Sequence, residues 1–149
     1  MRSGASAQMA IGDSGFSLRA FVHRQIMRAA GLAILATTGF CLASLGTWNV
    51  ADPSFSHATD NIITNAMGYP GAVVADLLMQ FFGLSSVILL VPAVAWALWL
   101  IFARGVDRLP RRIVAWFAGS VLAAAIVGCV AAPQTWPLPS GLGGVAGDL

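Results

Sequence analysis

Three long stretches of this chain carry no charged residue: between Arg28 and Asp52, between Asp76 and Arg104, and between Arg112 and Asp148. Each is rich in aliphatic and aromatic residues. Each also exceeds the roughly 20 residues with which an α-helix crosses a hydrocarbon core of about 30 Å. A charge at the bilayer centre costs about 2.5–3.5 kcal/mol on the insertion scale, so a spanning helix requires gaps of this kind. In lipid an open chain satisfies its own backbone only as a helix. The pattern predicts an all-α, polytopic membrane bundle. Spans are expected at 29–48, 71–103 and 113–132, with a loop at 49–70, a basic turn at 104–112 and a tail at 133–149; residues 1–28 precede the bundle.

Finer patterning refines each segment. Met1 to Gly15 is small, polar and Gly/Ser-rich, which predicts disorder. In Phe16 to Met27, Leu18, Phe21, Val22 and Ile26 recur near helical spacing while Arg19, His23 and Arg24 take another face. This reads equally as a basic amphipathic helix on the membrane surface or as a plain extension of the first span. The 49–70 loop opens and closes on turn signals, Asp52-Pro53-Ser54 and Gly68-Tyr69-Pro70. It is long for a connection between membrane helices and reads as a cap or a docking surface. From Leu77 to Phe102 a straight helix would measure about 39 Å, longer than the core. Either it tilts, or its first turns lie in the interface and it bends at Gly83 or Ser85-Ser86. Pro92 leaves the Ile88 carbonyl without its usual donor, which predicts a kink that shapes packing. Gly119 and Ala123 on the third span would permit close helix approach.

Composition agrees. Of 149 residues, 58% are hydrophobic and 9% charged, against about 25% charged in a soluble protein. The net charge of +2 is too small to argue for nucleic-acid binding, but its placement is informative. All eight basic residues are Arg: Arg2, Arg19, Arg24 and Arg28 before the first span, and Arg104, Arg108, Arg111 and Arg112 after the second. They fall on one side of the membrane, which the positive-inside bias makes the cytoplasm. The N-terminus is then cytoplasmic, and the loop and tail face the far side. Trp48, Trp99, Trp116 and Trp136 are expected at the headgroup level. The first apolar run is not read as a cleaved signal peptide, because its lead is 28 residues long and no small-x-small site follows.

Candidate chemistry is sparse. Asp76 and Gln80 are placed at the outer end of the second span, with Asp76 in its first turns, favoured by the helix dipole and solvated. No other acidic residue or His falls inside a span to form a relay, so permeation through Asp76 and Pro92 is weakly supported. Cys41 and Cys129 read as small hydrophobes with reduced thiols. His23 and His57 are isolated, so no metal site is expected. No nucleophile–base pairing is visible, and no catalytic or cofactor-binding residue is assigned. A sequence without Lys cannot hold the GK[ST] of a P-loop, so these residues are no P-loop ATPase.

One internal echo remains. Gly71-Ala72-Val73-Val74-Ala75-Asp76-Leu77 opens the second span, and Gly143-Gly144-Val145-Ala146-Gly147-Asp148-Leu149 ends the sequence. Their Gly, Val, Asp and Leu positions coincide, so the second copy is expected to begin a fourth helix. Such an ending reads as a piece of a larger protein.

Asp52-Pro53-Ser54-Phe55-Ser56, followed by Gly68-Tyr69-Pro70-Gly71-Ala72, Ala75-Asp76-Leu77 and Phe82-Gly83, resembles the N-terminal four-helix membrane domain of FtsK/SpoIIIE-type DNA translocases. The basic turn at 104–112 and the late Gly-Gly-x-x-Gly-Asp fit the same layout, and the resemblance covers 29–149. It implies a membrane anchor at the bacterial division septum that contacts other division proteins and self-associates. It also implies a separate hexameric motor that pumps DNA, with ATP and Mg expected only in that motor. DNA contact by this segment is not expected; its partners are lipid, other copies and septal proteins. The alternative is a small stand-alone polytopic protein, such as a transporter or an accessory subunit.

Overall fold

The computed structural model describes residues 18–102, 104 and 108–149. The lead Met1–Gly15, the first two residues of Phe16–Met27, and residues 103 and 105–107 of the basic turn lie outside the described residues. Five α-helices follow in order: α1 (Leu18–Gly46), α2 (Gly68–Phe82), α3 (Ser86–Ile101), α4 (Leu109–Gly128) and the short α5 (Gly144–Asp148). A 3₁₀ turn at Gly83–Ser85 separates α2 from α3. Among the described residues there is no strand. Three segments are long and apolar enough to cross a membrane: α1 with 29 residues, Gly68–Ile101 with 34 and α4 with 20.

Burial is inverted relative to a water-soluble core. The largest fully buried side chains are Ser44, Ser85 and Ser86, whereas Leu32, Val91, Val114, Phe117, Leu122 and Ile126 are all exposed by more than half. Within the bundle, hydroxyls of Thr38, Ser44 and Ser120 donate to the carbonyls of Ile34, Phe40 and Trp116 at 2.7–2.8 Å. A buried hydroxyl satisfied by its own helix costs little, and small side chains let helices approach. Apolar residues outside and small polar residues inside are what lipid as solvent demands.

α1, α3 and α4 alternate in direction. At one end Gly31 of α1 lies so close to α3 that an added Cβ would stand 2.7 Å from the Ala97 carbonyl. At the same end the Arg112 guanidinium of α4 sits 4.8 Å over the Trp99 ring of α3. This is the arginine end. The opposite, loop end holds Ser44, the start of α3, Gly128 and the 49–67 loop.

The structure corrects several expectations. The first span ends at Gly46, and Leu18–Met27 continues into it as one unbroken helix. Here α2 begins at Gly68, inside the expected loop, because Pro70 sits in its first turn, where the absent N–H has no intrahelical partner to lose. Asp76 is therefore beyond the first turn. Likewise α4 starts at Leu109, four residues earlier than expected, with Pro110 in its first turn and Arg108 in left-handed backbone (φ 55°). It ends at Gly128 rather than near Ala132, ahead of Pro133, which disfavours helical backbone before it. Trp116 is tied to the neighbouring helix. Its indole N–H donates to the Leu89 carbonyl at 2.6 Å, and its ring meets Trp96 edge to face at 5.6 Å. Leu89 adjoins Ile88, whose carbonyl Pro92 deprives of a donor, and α3 stays helical through Pro92. Within the chain the close approach on α4 occurs at Ala124 and Gly128, and Gly119 has nothing within 4 Å, so the face expected to approach another helix is left open.

Candidate functional site

At the loop end, acidic, hydroxyl and amide side chains converge in two carboxylate-centred clasps. The first is built on Asp52, which is 3% exposed. Its Oδ1 accepts from the Thr64 backbone N–H (2.9 Å) and hydroxyl (2.8 Å), and its Oδ2 accepts from the Asn65 N–H (2.9 Å). This staples the start of the loop to its end. Asn65, 5% exposed, then joins two helices. Its Nδ2 donates to the Ser44 and Thr47 carbonyls at 2.9 and 3.3 Å, and its Oδ1 accepts from the Met67 N–H at 3.0 Å. Carbonyls at a helix C-terminus and N–H groups at a helix N-terminus have no intrahelical partners. One side chain therefore caps the end of α1 and the start of α2. Gly71 is required beneath it, since an added Cβ would stand 2.4 Å from Asn65 Oδ1.

The second clasp is built on Asp76 of α2, 7% exposed. Its Oδ2 accepts from Ser54 Oγ (2.7 Å), from Ser56 Oγ, and from Gln80 Nε2 (2.9 Å). Gln80 also donates to Ser56 Oγ at 2.6 Å. The Ser54 side chain in turn accepts the His57 N–H at 3.2 Å, closing a tight turn. Both serines are pinned on one carboxylate, and Phe55 between them stays 76% exposed. Asp76 is thus not the solvated cap expected from its place near a helix start. The loop covers it, and an ionised carboxylate so covered needs donors to offset its lost hydration. Among the described residues no ion pair neutralises either carboxylate.

A third junction is made of glycine. Gly83 (φ 55°) sits where an added Cβ would lie 2.0 Å from the Leu142 carbonyl, and Leu84 N–H donates to that carbonyl at 2.9 Å. A Cβ on Gly143 would lie 2.1 Å from the Ala124 carbonyl, and one on Gly147 would lie 2.5 Å from the same atom. The segment before α5 is thereby wedged, backbone on backbone, between the end of α2 and the last turns of α4. Asp148 Oδ2 accepts the Gly141 N–H at 3.2 Å.

Chemically these are fastenings. Among the described residues no group of three or more His, Cys, Asp or Glu residues comes together, and Cys41 and Cys129 are free thiols. Asp76 and Gln80 stand out in the sequence, but their counterparts Ser54 and Ser56 do not, and neither does the separate clasp of Asp52 and Asn65. A signal was present: an aspartate in an otherwise uncharged helix needs donors, and the serines of Asp52-Pro53-Ser54-Phe55-Ser56 are the nearest in the preceding loop.

The family model for the 4TM region of DNA translocase FtsK/SpoIIIE matches residues 23–149. Over its full length the chain is 60% identical to the DNA translocase FtsK of Mesorhizobium japonicum, covering 17% of that protein. It is 58% identical over 90% of its length to that of Rhizobium meliloti, and 31% identical over 81% to that of Caulobacter vibrioides, covering 15% of each. The chain therefore spans about a sixth of the length of the curated relatives it matches. No solved structure matches. The chain belongs to the family of the four-transmembrane-helix region of FtsK/SpoIIIE DNA translocases.

Proposed function

We propose that this chain is the membrane-anchoring and septum-localising module of a DNA translocase that couples chromosome segregation to cell division. Its N-terminus and arginine turn lie in the cytoplasm, and its clasped loop lies outside the inner membrane. The observation that carries this reading is the gathering of arginine at one end of the bundle. Arg19, Arg24, Arg28, Arg104, Arg108, Arg111 and Arg112 belong to that end, and the 49–67 loop and the 129–149 segment at the other contain no Arg or Lys. Arginine at one end is retained on the cytoplasmic side during insertion. The motor, with its ATP and Mg, then acts on the arginine side, and these residues touch lipid, neighbouring copies and septal proteins rather than DNA.

Two features support an interaction role. The clasps hold Phe55 (76% exposed) and Ile62 (89% exposed) outward on a fixed loop. The face of α4 around Gly119 is open, and Ala115, Gly119 and Ala123 recur at intervals of four, a spacing that favours helix pairing in lipid. A permeation role for Asp76 gains nothing from a carboxylate covered by its own loop. The test replaces residues 18–149 of the full-length protein with an unrelated bundle of equal span number and follows a fluorescent tag. The protein is expected to stay in the membrane and lose septal enrichment. Undiminished enrichment would refute the proposal.

A further inference from the structure

We infer that α2 does not cross the membrane but lies along its loop-side surface, with Pro70, Val74, Leu77 and Phe81 bedded in the headgroup and upper acyl region; the crossing is made by Gly83–Ile101 alone.

The levels of the two ends of α2 carry this first. Near its start, Gly71 packs on Asn65 and on Ser44, two residues from the end of α1. Past its end, Gly83 packs on the Leu142 carbonyl and Gly144, in the segment whose Gly143 rests on Ala124 and Gly128 in the last turns of α4. Both ends of α2 are thus fastened to the same end of the spans. A helix of 15 residues, about 22 Å long, that begins and finishes at one level runs across the bundle and not through it.

Length agrees. The 16 residues of α3 rise about 24 Å and the three of the 3₁₀ turn about 6 Å, together about 30 Å. That matches α4, whose 20 residues also rise about 30 Å, and the hydrocarbon core itself. The far end of α3 is level with Gly31 of α1 and Arg112 of α4, so the crossing is complete without α2.

The faces of α2 agree as well. Tyr69, Asp76 and Gln80 follow one another at seven and four residues and form a polar line, two of whose members bind the loop. Ala72, Ala75 and Met79 are buried against the bundle. Pro70, Val74, Leu77 and Phe81, at spacings of four, three and four, form an apolar line; Leu77 is 38% and Phe81 55% exposed. A helix with one polar edge and one exposed apolar edge suits an interface, where each edge meets its own solvent. Its continuity with the exposed Leu84, Val87 and Ile88 at the start of the crossing argues for lipid as the occupant.

The internal echo supplies independent support. Gly71 packs on the end of the span before it, and so does Gly143. Asp76 takes donors from the loop before it, and so does Asp148. The motif thus recurs in sequence and in place, each copy lying on the loop end of the preceding span.

The test is a depth measurement on the full chain in vesicles of phosphatidylethanolamine and phosphatidylglycerol. Single cysteines at Tyr69, Val74, Leu77 and Phe81, in a Cys41→Ala, Cys129→Ala background, carry nitroxides whose depth is read from collisions with oxygen and a water-soluble nickel chelate. Val87, Val91 and Leu98 on α3 serve as the crossing reference. The four α2 labels are expected within about 5 Å of one depth, varying with the helical period, whereas Val87 to Leu98 descends by about 16 Å. A steady descent of about 18 Å from Tyr69 to Phe81 overturns the inference. So does shielding of Leu77 and Phe81 from both reagents, since another copy and not lipid would then cover that edge.

Discussion

Asp76→Ala removes the acceptor of three side-chain donors at once, and its effect can be worked from the geometry. Ser54 is half-buried; Ser56 is exposed and recovers a water partner once released, and Gln80 can turn to solvent. Counting one charge-assisted bond with a half-buried donor and two bonds that water replaces, the loss is about 2–4 kcal/mol. It falls on docking of the Ser54–His57 turn, because the helix beneath keeps its own backbone bonds. Hydrogen exchange reads that opening directly, since the His57 N–H is held by Ser54 Oγ. Exchange at His57 should accelerate about 30- to 900-fold, the factor to which 2–4 kcal/mol converts. The Thr64 and Asn65 N–H groups are held by Asp52, and their exchange should not change. Asp76→Asn, which keeps an oxygen acceptor, should give a smaller acceleration. An unchanged rate at His57, or an equal rise at Thr64 and Asn65, would refute the picture of two separate clasps.

Other consequences follow from the same packing. Asn65→Ala uncaps α1 and α2 together and should lower unfolding stability in detergent by about 2–3 kcal/mol, read by thermal unfolding of the full chain. Gly83→Ala meets both a positive φ and the Leu142 carbonyl, so it should expose the 141–148 segment to protease, whereas Gly39→Ala, with open space around it, should leave cleavage unchanged. Trp116→Phe keeps an aromatic ring against Trp96 but loses the bond to the Leu89 carbonyl, and should cost about 1 kcal/mol in the same unfolding assay.

The spans were legible in the sequence because an uncharged run of that length has few other uses. Their limits were less so. The pattern puts Pro70 and Pro110 in loops, although proline is as comfortable in the first turn of a helix, and nothing local separates the two uses. Asp76 and Gln80 stood out as polar residues in an apolar run. Their partners did not, because Ser54 and Ser56 lie 22 and 20 residues away and only tertiary packing brings them together. The same holds for Asn65, whose two capping roles depend on where α1 ends. Gly119 and Gly128 are alike in sequence on one helix. Only the return of the chain along Gly143–Gly147 decides that Gly128 is the packed one. The repeat of Gly71–Leu77 at Gly143–Leu149 was visible as letters, and its meaning as a place in the bundle needed the fold.

Sidedness is the claim on which anchoring of a cytoplasmic motor depends. The direct measurement is labelling of intact cells by a membrane-impermeant maleimide, with single cysteines at Ile62 in the loop and at Arg111 beside the basic turn. Ile62→Cys should react from outside, and Arg111→Cys only after the membrane is permeabilised. Reaction of Arg111→Cys in intact cells, with Ile62→Cys protected, would invert the bundle and contradict the account.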